Sequence, residues 1–332
     1  MISSTLQQKF SEEISLFDEK IHAFEAGELD RNTFKGISGG FGSYAQRSNG
    51  YMLRLRLPGG QISKEKLRFF SDSIQNHHVN LLKITTCQTI QMHNLSADST
   101  VSIMRDAMNF GIITRGGGGD NPRNVMASPL SGVEKGETFD VLPYVQAAGI
   151  PGLHMPRKLK VGFSNTPSNE THATFRDLGF IARNDGSFSV YCAGGLGPNP
   201  KLGVWITDHV CPSEISFYIS AMIRLFTTYG NYESRAKSRT RYLQDTLGAE
   251  EIRKQFLAFV EQAKAEEEAW PIPSLQPITK KGNGTISGKR IIPQKQDGLY
   301  AVSYHPIGGC LPPQTLIQLY QTIKDMPQTE IR

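Results

Sequence analysis

Cysteine is scarce in this chain: four in 332 residues, at Cys87, Cys192, Cys211 and Cys310. No two fall within a CxxC or CxxxC spacing, so no local zinc or cluster motif is present and no metal ligand is assigned. Four cysteines over that length make no disulfide framework either, and the expected setting is a reducing cytoplasm. No apolar run approaches the roughly 18 residues that span a bilayer. The opening Met1-Ile2-Ser3-Ser4-Thr5-Leu6 lacks the basic-then-apolar pattern of a signal peptide. The expectation is a soluble chain without a membrane partner. Charge of one sign is also lacking. A net charge of +5 with acidic residues interspersed falls short of the basic stripe of a nucleic-acid binder. It leaves room for local basic sites that hold a small anion or an acidic cofactor. The histidines, His22, His77, His78, His93, His154, His172, His209 and His305, form no HxxxH or His/carboxylate motif and read as ordinary surface or core residues.

What is present is enough to fold. Hydrophobic residues at 38% and charged residues at 20% support a packed core, and the length suggests two or three domains. Residues 1–45 read as a helical lead, with Phe10, Ile14, Phe17 and Ile21 at helical spacing, followed by a Gly/Ser-rich loop. From Tyr51 to Leu57 the pattern alternates as a strand, with Leu53, Leu55 and Leu57 on one face and Met52, Arg54 and Arg56 on the other. Pro58-Gly59-Gly60 turns the chain. Ser63 caps a helix to about His77, with Leu67, Phe70 and Ile74 inward. Leu81–Thr85 is a second strand that Thr89–His93 continues, and Val101–Phe110 a further helix. This order suits a ferredoxin-like half over residues 46–115.

Residues 116–275 change in character. A glycine loop, Gly116 to Asn124, precedes strands at Leu159–Phe163, Leu178–Ala182 and Phe188–Cys192. A helix from Ser213 to Tyr229, with Ser213 as N-cap and Gly230 as its end, carries Ile215, Tyr218, Met222, Leu225 and Phe226 as an apolar stripe. Helices follow from about Arg235 and from Ala249. The polar stretch 264–297, with prolines at 271, 273 and 277, reads as a linker between domains, placing a last region at 276–332. An internal repeat runs through the two ends. Shifted by 249, Tyr51 falls on Tyr300, Gly59-Gly60 on Gly308-Gly309, Leu67 on Leu316 and Ile74 on Ile323. The second copy reaches only Arg332 where the first has its pairing strand, and a β-α unit without that strand cannot bury its helix. The expectation is a truncated or split protein, with a short natural terminal strand as the other reading.

Several constellations have the composition of a binding site. Lys158 and Lys160 project from one face of an extended segment, and two ammonium groups side by side repel unless an anion lies between them. By spacing alone a solvated edge strand serves as well. The same holds for Arg54 and Arg56, and for Arg235 and Arg239, four apart on an expected helix face. The loop ending Asp120-Asn121-Pro122-Arg123-Asn124 is no P-loop, because no Gly-Lys-Ser/Thr follows. Its glycines admit close approach of a flat ligand or mark a mobile loop. Ala193-Gly194-Gly195-Leu196-Gly197 departs from GxGxxG.

In order, these pieces resemble the siroheme nitrite/sulfite reductase family. The resemblance is carried by Arg54-Leu55-Arg56-Leu57-Pro58-Gly59-Gly60, by Thr85-Thr86-Cys87-Gln88-Thr89-Ile90-Gln91-Met92-His93, by Gly119-Asp120-Asn121-Pro122-Arg123-Asn124-Val125, by Pro156-Arg157-Lys158-Leu159-Lys160, and by the Gly-Gly-Leu-Gly and Gly-Asn motifs. It covers nearly the whole chain from about residue 40. It implies an α+β fold: a ferredoxin-like half domain, a central α/β siroheme-type domain and the start of a second ferredoxin-like half. It implies six-electron reduction of nitrite or sulfite at siroheme coupled to a [4Fe-4S] cluster, with ferredoxin or a reductase subunit as electron donor. Arg54, Arg123, Lys158 and Lys160 are then expected on the small oxyanion. Lys83, Asn124, Asn231, Arg235 and Arg239 are expected on siroheme, with Gly194, Gly195 and Gly197 letting backbone approach the macrocycle. The sequence departs from the family at Cys87 and Tyr232, where arginines usually stand. The family's cluster ligands, two closely spaced cysteine pairs late in the chain, have no match, so they are expected elsewhere, on a C-terminal half carried by another chain or lost. Alone, the chain is then expected to be inactive. A second reading is a non-catalytic protein that uses the same cations to bind a tetrapyrrole or other polyanion.

Overall fold

A computed structural model describes residues 4–48, 50–148 and 155–332; His154 and the opening Met1-Ile2-Ser3 lie outside them. The described residues form two compact units, one holding 4–124 and 305–332, the other 125–148 and 155–304. In chain order the first unit opens with α1 (Ser4–Glu25), whose Phe10, Ile14, Phe17 and Ile21 are buried as their spacing requires. The expected loop after it is instead a helix, α2 (Arg31–Gly40), capped by the Asp30 carboxylate on the backbone N–H groups of Asn32 and Thr33. Its glycines serve close approach: a Cβ at Gly39 would lie 3.2 Å from the backbone of Gly119, and one at Gly118 would lie 2.5 Å from Gly39 O. The glycine loop is therefore packed on α2, with Gly116 N–H donating to Gly40 O at 2.7 Å.

Strand β1 (Ser43–Ala45) pairs with β2 (Tyr51–Arg56). Helix α3 (Lys64–Asn76) starts at the expected Ser63 cap, whose hydroxyl accepts from Lys66 N, and buries Leu67, Phe70 and Ile74. Strands β3 (Leu81–Ile84) and β4 (Thr89–Leu95) are not one continued strand. They pair antiparallel across a tight turn at 85–88, with Leu81 opposite His93 and Ile84 opposite Ile90. Helix α4 (Ala97–Asn109) follows. The β2-α3-β3-β4-α4 order is that of a ferredoxin-like half.

The second unit holds a five-stranded sheet, β5 (Met126–Ala127), β6 (Val161–Ser164), β7 (Leu178–Ala182), β8 (Phe188–Cys192) and β9 (Val204–Val210), adjacent in that order. The first two junctions are parallel and the last two antiparallel. Helix α5 (Leu142–Ala147) precedes β6. Strands β7 and β8 have the expected bounds; β6 starts two residues later than expected. Helix α6 begins at Ile215 rather than Ser213 and runs to Tyr229, because Pro212–Glu214 form a 3-10 turn and no side chain caps the start. Its apolar stripe is buried as expected. The helix expected from Arg235 is absent: two 3-10 turns, Arg235–Lys237 and Thr240–Tyr242, lead to a single turn α7 (Leu243–Thr246), and then α8 (Gly248–Glu266).

The expected linker stays with the second unit. Strands β10 (Ile291–Pro293) and β11 (Tyr300–Val302) form a hairpin, and Lys295 N–H donates to Val133 O while its ammonium meets Glu137 at 2.5 Å. The chain then returns to the first unit with β12 (Cys310–Leu311), antiparallel to β3, and α9 (Pro313–Ile323). The first sheet thus reads β1-β2-β4-β3-β12. The units divide after residues 124 and 304, whereas the sequence placed divisions at 115 and 275. The repeat is visible in backbone angles: Gly59 and Gly60 have φ of 63° and 73°, Gly308 and Gly309 of 60° and 71°. Leu316 and Ile323 are buried, as are Leu67 and Ile74 in the first copy.

Candidate functional site

One face of the first sheet lies on α3 and α4 through Leu53, Leu55, Leu82, Ile90 and Met92. Alternation turns Arg54, Arg56, Lys83, Gln91 and His93 to the other face. Strand register sets Arg54 directly opposite Gln91 and Gln91 directly opposite Lys83, one polar row across three strands. The Arg54 Nη1 donates to Gly117 O at 2.6 Å. With the Gln91 amide turned to offer its oxygen, Nε and Nη2 donate to it at 3.1 and 2.5 Å. Among the described residues every partner of this guanidinium is a neutral oxygen. Burial lowers its pKa, partly offset by Tyr44 and Cys87. Arg123 joins it: Nη1 donates to the same Gly117 O at 3.0 Å and Nη2 to Gly119 O at 2.8 Å. Arg56 lies beneath, 6% exposed, donating to Arg115 O and Arg123 O. Burial, then the Arg123 charge, pushes its pKa down to about 10. Lys83 is half-buried and has no ion pair among the described residues. Asn124 has another role than the one expected. It is buried, and its amide nitrogen lies 2.8–2.9 Å from the carbonyls of Leu57, Cys87 and Gln88, clamping two turns together.

In the second unit Lys158 and Lys160 are half-buried on either side of buried Leu159, in extended chain ahead of β6. A residue that sequence reasoning missed holds this segment. Asp177, fully buried, accepts from Lys160 N at 2.8 Å, from Arg239 Nη2 at 3.2 and 3.4 Å, and from the Thr240 hydroxyl. The available signal was a lone carboxylate next to the apolar run Leu178–Ala182. Arg239 and Arg235 do not share a helix face, because Arg239 is extended (φ −78°, ψ 150°) between two turns. Arg239 is thus committed to Asp177, while Arg235 is exposed. Asn231 Oδ1 accepts from the backbone N–H groups of Glu233 and Ser234, a turn-forming role. At the three glycines the chain itself comes close. A Cβ at Gly194 would meet Phe175 Cα at 2.8 Å, and Cβ atoms at Gly195 and Gly197 would meet Arg239 Nη2 at 3.4 Å and Arg241 Nη2 at 3.0 Å.

Comparison with known proteins gives this geometry a family. Residues 44–109 match the model of the nitrite/sulfite reductase ferredoxin-like half domain, and residues 118–264 that of the nitrite and sulphite reductase 4Fe-4S domain. The chain belongs to the nitrite and sulfite reductase family. Among its relatives, the ferredoxin–nitrite reductase of Synechococcus elongatus is 28% identical over 85% of this chain and 56% of its own length. The NADPH sulfite reductase hemoprotein beta-component of Bacillus subtilis is 29% identical over 62% of this chain and 43% of its own. The solved structure of the Mycobacterium tuberculosis NirA protein superposes with a TM-score of 0.76 at 23% identity, covering 94% of this chain and 62% of that one. The α+β fold with ferredoxin-like halves is therefore shared. The chain spans about half the length of the curated relatives it matches.

Siroheme and a [4Fe-4S] cluster are the cofactors of this family. The first unit fits the carboxylates of siroheme, because Arg54 carries its charge among neutral oxygens and Lys83 stands in the same row. The described residues do not fit a cluster. No three His, Cys, Asp or Glu among them lie close enough to hold a metal. Cys87 lies on the 85–88 turn, Cys211 and Cys310 are exposed, and Cys192 is buried in β8 with its thiol pKa pushed up by that burial. Among the described residues no helix is long and apolar enough to cross a membrane.

Proposed function

We propose that this chain is the anion-holding portion of a siroheme-dependent nitrite or sulfite reductase. The observation that carries the reading is Arg54: a guanidinium, partly buried, whose partners among the described residues are all neutral oxygens. Such a charge is stabilised by an anion that supplies the missing counter-charge. Arg54 and Arg123, gathered on Gly117 O, hold nitrite or sulfite, or a carboxylate of the tetrapyrrole, in the first unit. Lys158 and Lys160 are the anion-holding pair of the second, the Lys160 backbone held by Asp177. Lys83 is the remaining cation of the Arg54 row and takes a siroheme carboxylate. When bound, siroheme supplies the iron at which the oxyanion loses its oxygens, six electrons being needed to reach ammonia or sulfide. This chain's cations neutralise the anion's charge and fix its orientation, and the lysine ammonium groups are proton donors near the oxygens that leave as water. The cluster ligands come from polypeptide beyond these residues, and the electron donor is ferredoxin or a reductase subunit.

The test is titration of the chain with siroheme, followed by its absorbance. Saturable one-to-one binding is expected. Arg54→Ala should weaken it by about tenfold or more, since a hydrogen bond to a charged group is worth about 1.5–3 kcal/mol. Equal affinity of the two proteins would refute the assignment. The absence of a cluster-holding group among the described residues favours one other reading, a non-catalytic polyanion binder. Sulfite or nitrite reduction by the siroheme-loaded chain, once a cluster-bearing portion is supplied, decides against that reading.

A further inference from the structure

Beside Arg54 a line of side chains crosses the polar face of the first unit: Arg54 on β2, Gln91 opposite it on β4, His93 two residues along the same strand, and Gln46 just after β1. Both ends of the line are fixed as donors. Gln46 Oε1 accepts from the backbone N–H of Asn94 at 2.7 Å, so its amide nitrogen faces His93 Nδ1, 3.2 Å away. Arg54 has only donors to offer. Between them, one end of the Gln91 amide lies 3.1 and 2.5 Å from Arg54 Nε and Nη2, and the other lies 3.3 Å from His93 Nε2.

Donors and acceptors must alternate along such a line, and here the alternation cannot close. If Gln91 turns its oxygen to Arg54, its NH2 faces His93 Nε2, which must then be the bare nitrogen. The ring proton is left on Nδ1, against the NH2 of Gln46. If the proton sits on Nε2 instead, Nδ1 accepts from Gln46, but Nε2–H needs the Gln91 oxygen. The Gln91 NH2 then confronts the guanidinium. A doubly protonated ring opposes Gln46 in either case. One donor–donor contact persists in every neutral arrangement, at the cost of an unmade, part-buried hydrogen bond. An acceptor from outside removes it. When an oxyanion takes Arg54 Nε and Nη2, Gln91 gives its oxygen to Nε2–H, and its NH2 becomes a further donor to the same anion.

We infer that Gln91 is an anion-binding residue and His93 a positioning residue behind it. Together they register an oxyanion or carboxylate at Arg54 by turning the Gln91 amide and fixing the His93 proton on Nε2. This rests on the proposed anion role of Arg54 and extends it to two side chains that it does not use. The surroundings favour the neutral ring: burial lowers the His93 pKa, and the positive charges of Lys83 and Arg54 lower it further. Those two are the charged groups facing the ring, Lys83 from β3 and Arg54 from β2.

The test uses the full chain with nitrogen-15-labelled histidine, because long-range nitrogen–proton NMR spectra distinguish the two ring tautomers. Sulfite is added in one arm and the iron-free macrocycle of siroheme in the other, separating a free oxyanion from a tetrapyrrole carboxylate. Without anion the His93 signals should report an average of both tautomers; at saturation they should move to the Nε2–H form. Gln91→Leu should abolish this response and weaken binding by about tenfold or more, the worth of one hydrogen bond to a charged group. Gln91→Glu, offering one oxygen to each neighbour, should hold the Nε2–H form from the start. A response in one arm alone supports the inference and names the source of the anion. Ring signals that stay unchanged while an anion binds with Arg54-dependent affinity overturn the inference and leave the functional reading standing. Absence of any Arg54-dependent binding overturns both.

Discussion

Replacing Asp177 by alanine removes a fully buried carboxylate from under the lysine pair. It strands three donors: the Lys160 backbone N–H, Arg239 Nη2 and the Thr240 hydroxyl. The hydroxyl keeps a contact to Gly194 O at 3.3 Å, and the Arg239 side chain is 15% exposed, so both recover part of the loss. Removing one partner of a buried ion pair costs about 3–5 kcal/mol, and partial access to water sets the expectation at the low end, about 3 kcal/mol. Both tryptophans, Trp205 and Trp270, belong to the second unit. Their fluorescence during urea unfolding therefore reads the unit that Asp177 stabilises. With a denaturant slope of about 2 kcal/mol per molar, the midpoint should fall by about 1.5 M at unchanged slope. Adding Arg239→Ala should cost less than its effect alone, because the stranded charge goes with it, a coupling of about 1 kcal/mol or more. Amide exchange at Lys160 should accelerate in the single variant. A midpoint shift below about 0.5 M at this slope, or strict additivity with Arg239→Ala, would refute the reasoning.

The repeated turn offers a paired comparison. Gly308→Ala places its Cβ in open space, so only the positive φ is penalised, about 1–2 kcal/mol. Gly309→Ala adds a Cβ 2.4 Å from Ile84 O and should cost clearly more, with faster amide exchange in β3; equal losses in thermal melts would count against this account. His93 makes stability depend on pH. Its folded pKa is lowered from 6.5, so the unfolded ring takes up a proton that the folded ring resists. Stability relative to His93→Gln should be constant above about pH 6.5 and fall as pH drops from there toward the folded pKa. A difference that shrinks as pH rises through this window would contradict the assignment.

The candidate site is partly legible in the amino-acid sequence. Arg54 and Arg123 were expected on one anion, and the fold brings them to a single carbonyl oxygen, Gly117 O. Lys158 and Lys160 keep the alternation read from their spacing around Leu159. Arg239, Asn124 and Asn231 were expected on a cofactor, and in the structure each bonds the chain's own groups. Gln91 and His93 stand in the Thr85–His93 motif, but nothing in a strand pattern shows which amide end meets which ring nitrogen.

The sequence by itself determined what short range decides. The α1 stripe, the Ser63 cap, the bounds of β7 and β8, and the two-glycine turns at 59–60 and 308–309 depend on neighbours a few residues away. Side-chain period and glycine's tolerance of positive φ are enough to read them. Tertiary structure alone decided where the polar groups find partners. Asp177 meets Arg239 and Thr240 across 62 and 63 residues, and Asn124 meets Leu57 across 67. A buried carboxylate, amide or guanidinium must be paired wherever the fold supplies the partner. That requirement spans sequence distances at which no local pattern survives, so it settled which polar side chains hold the fold.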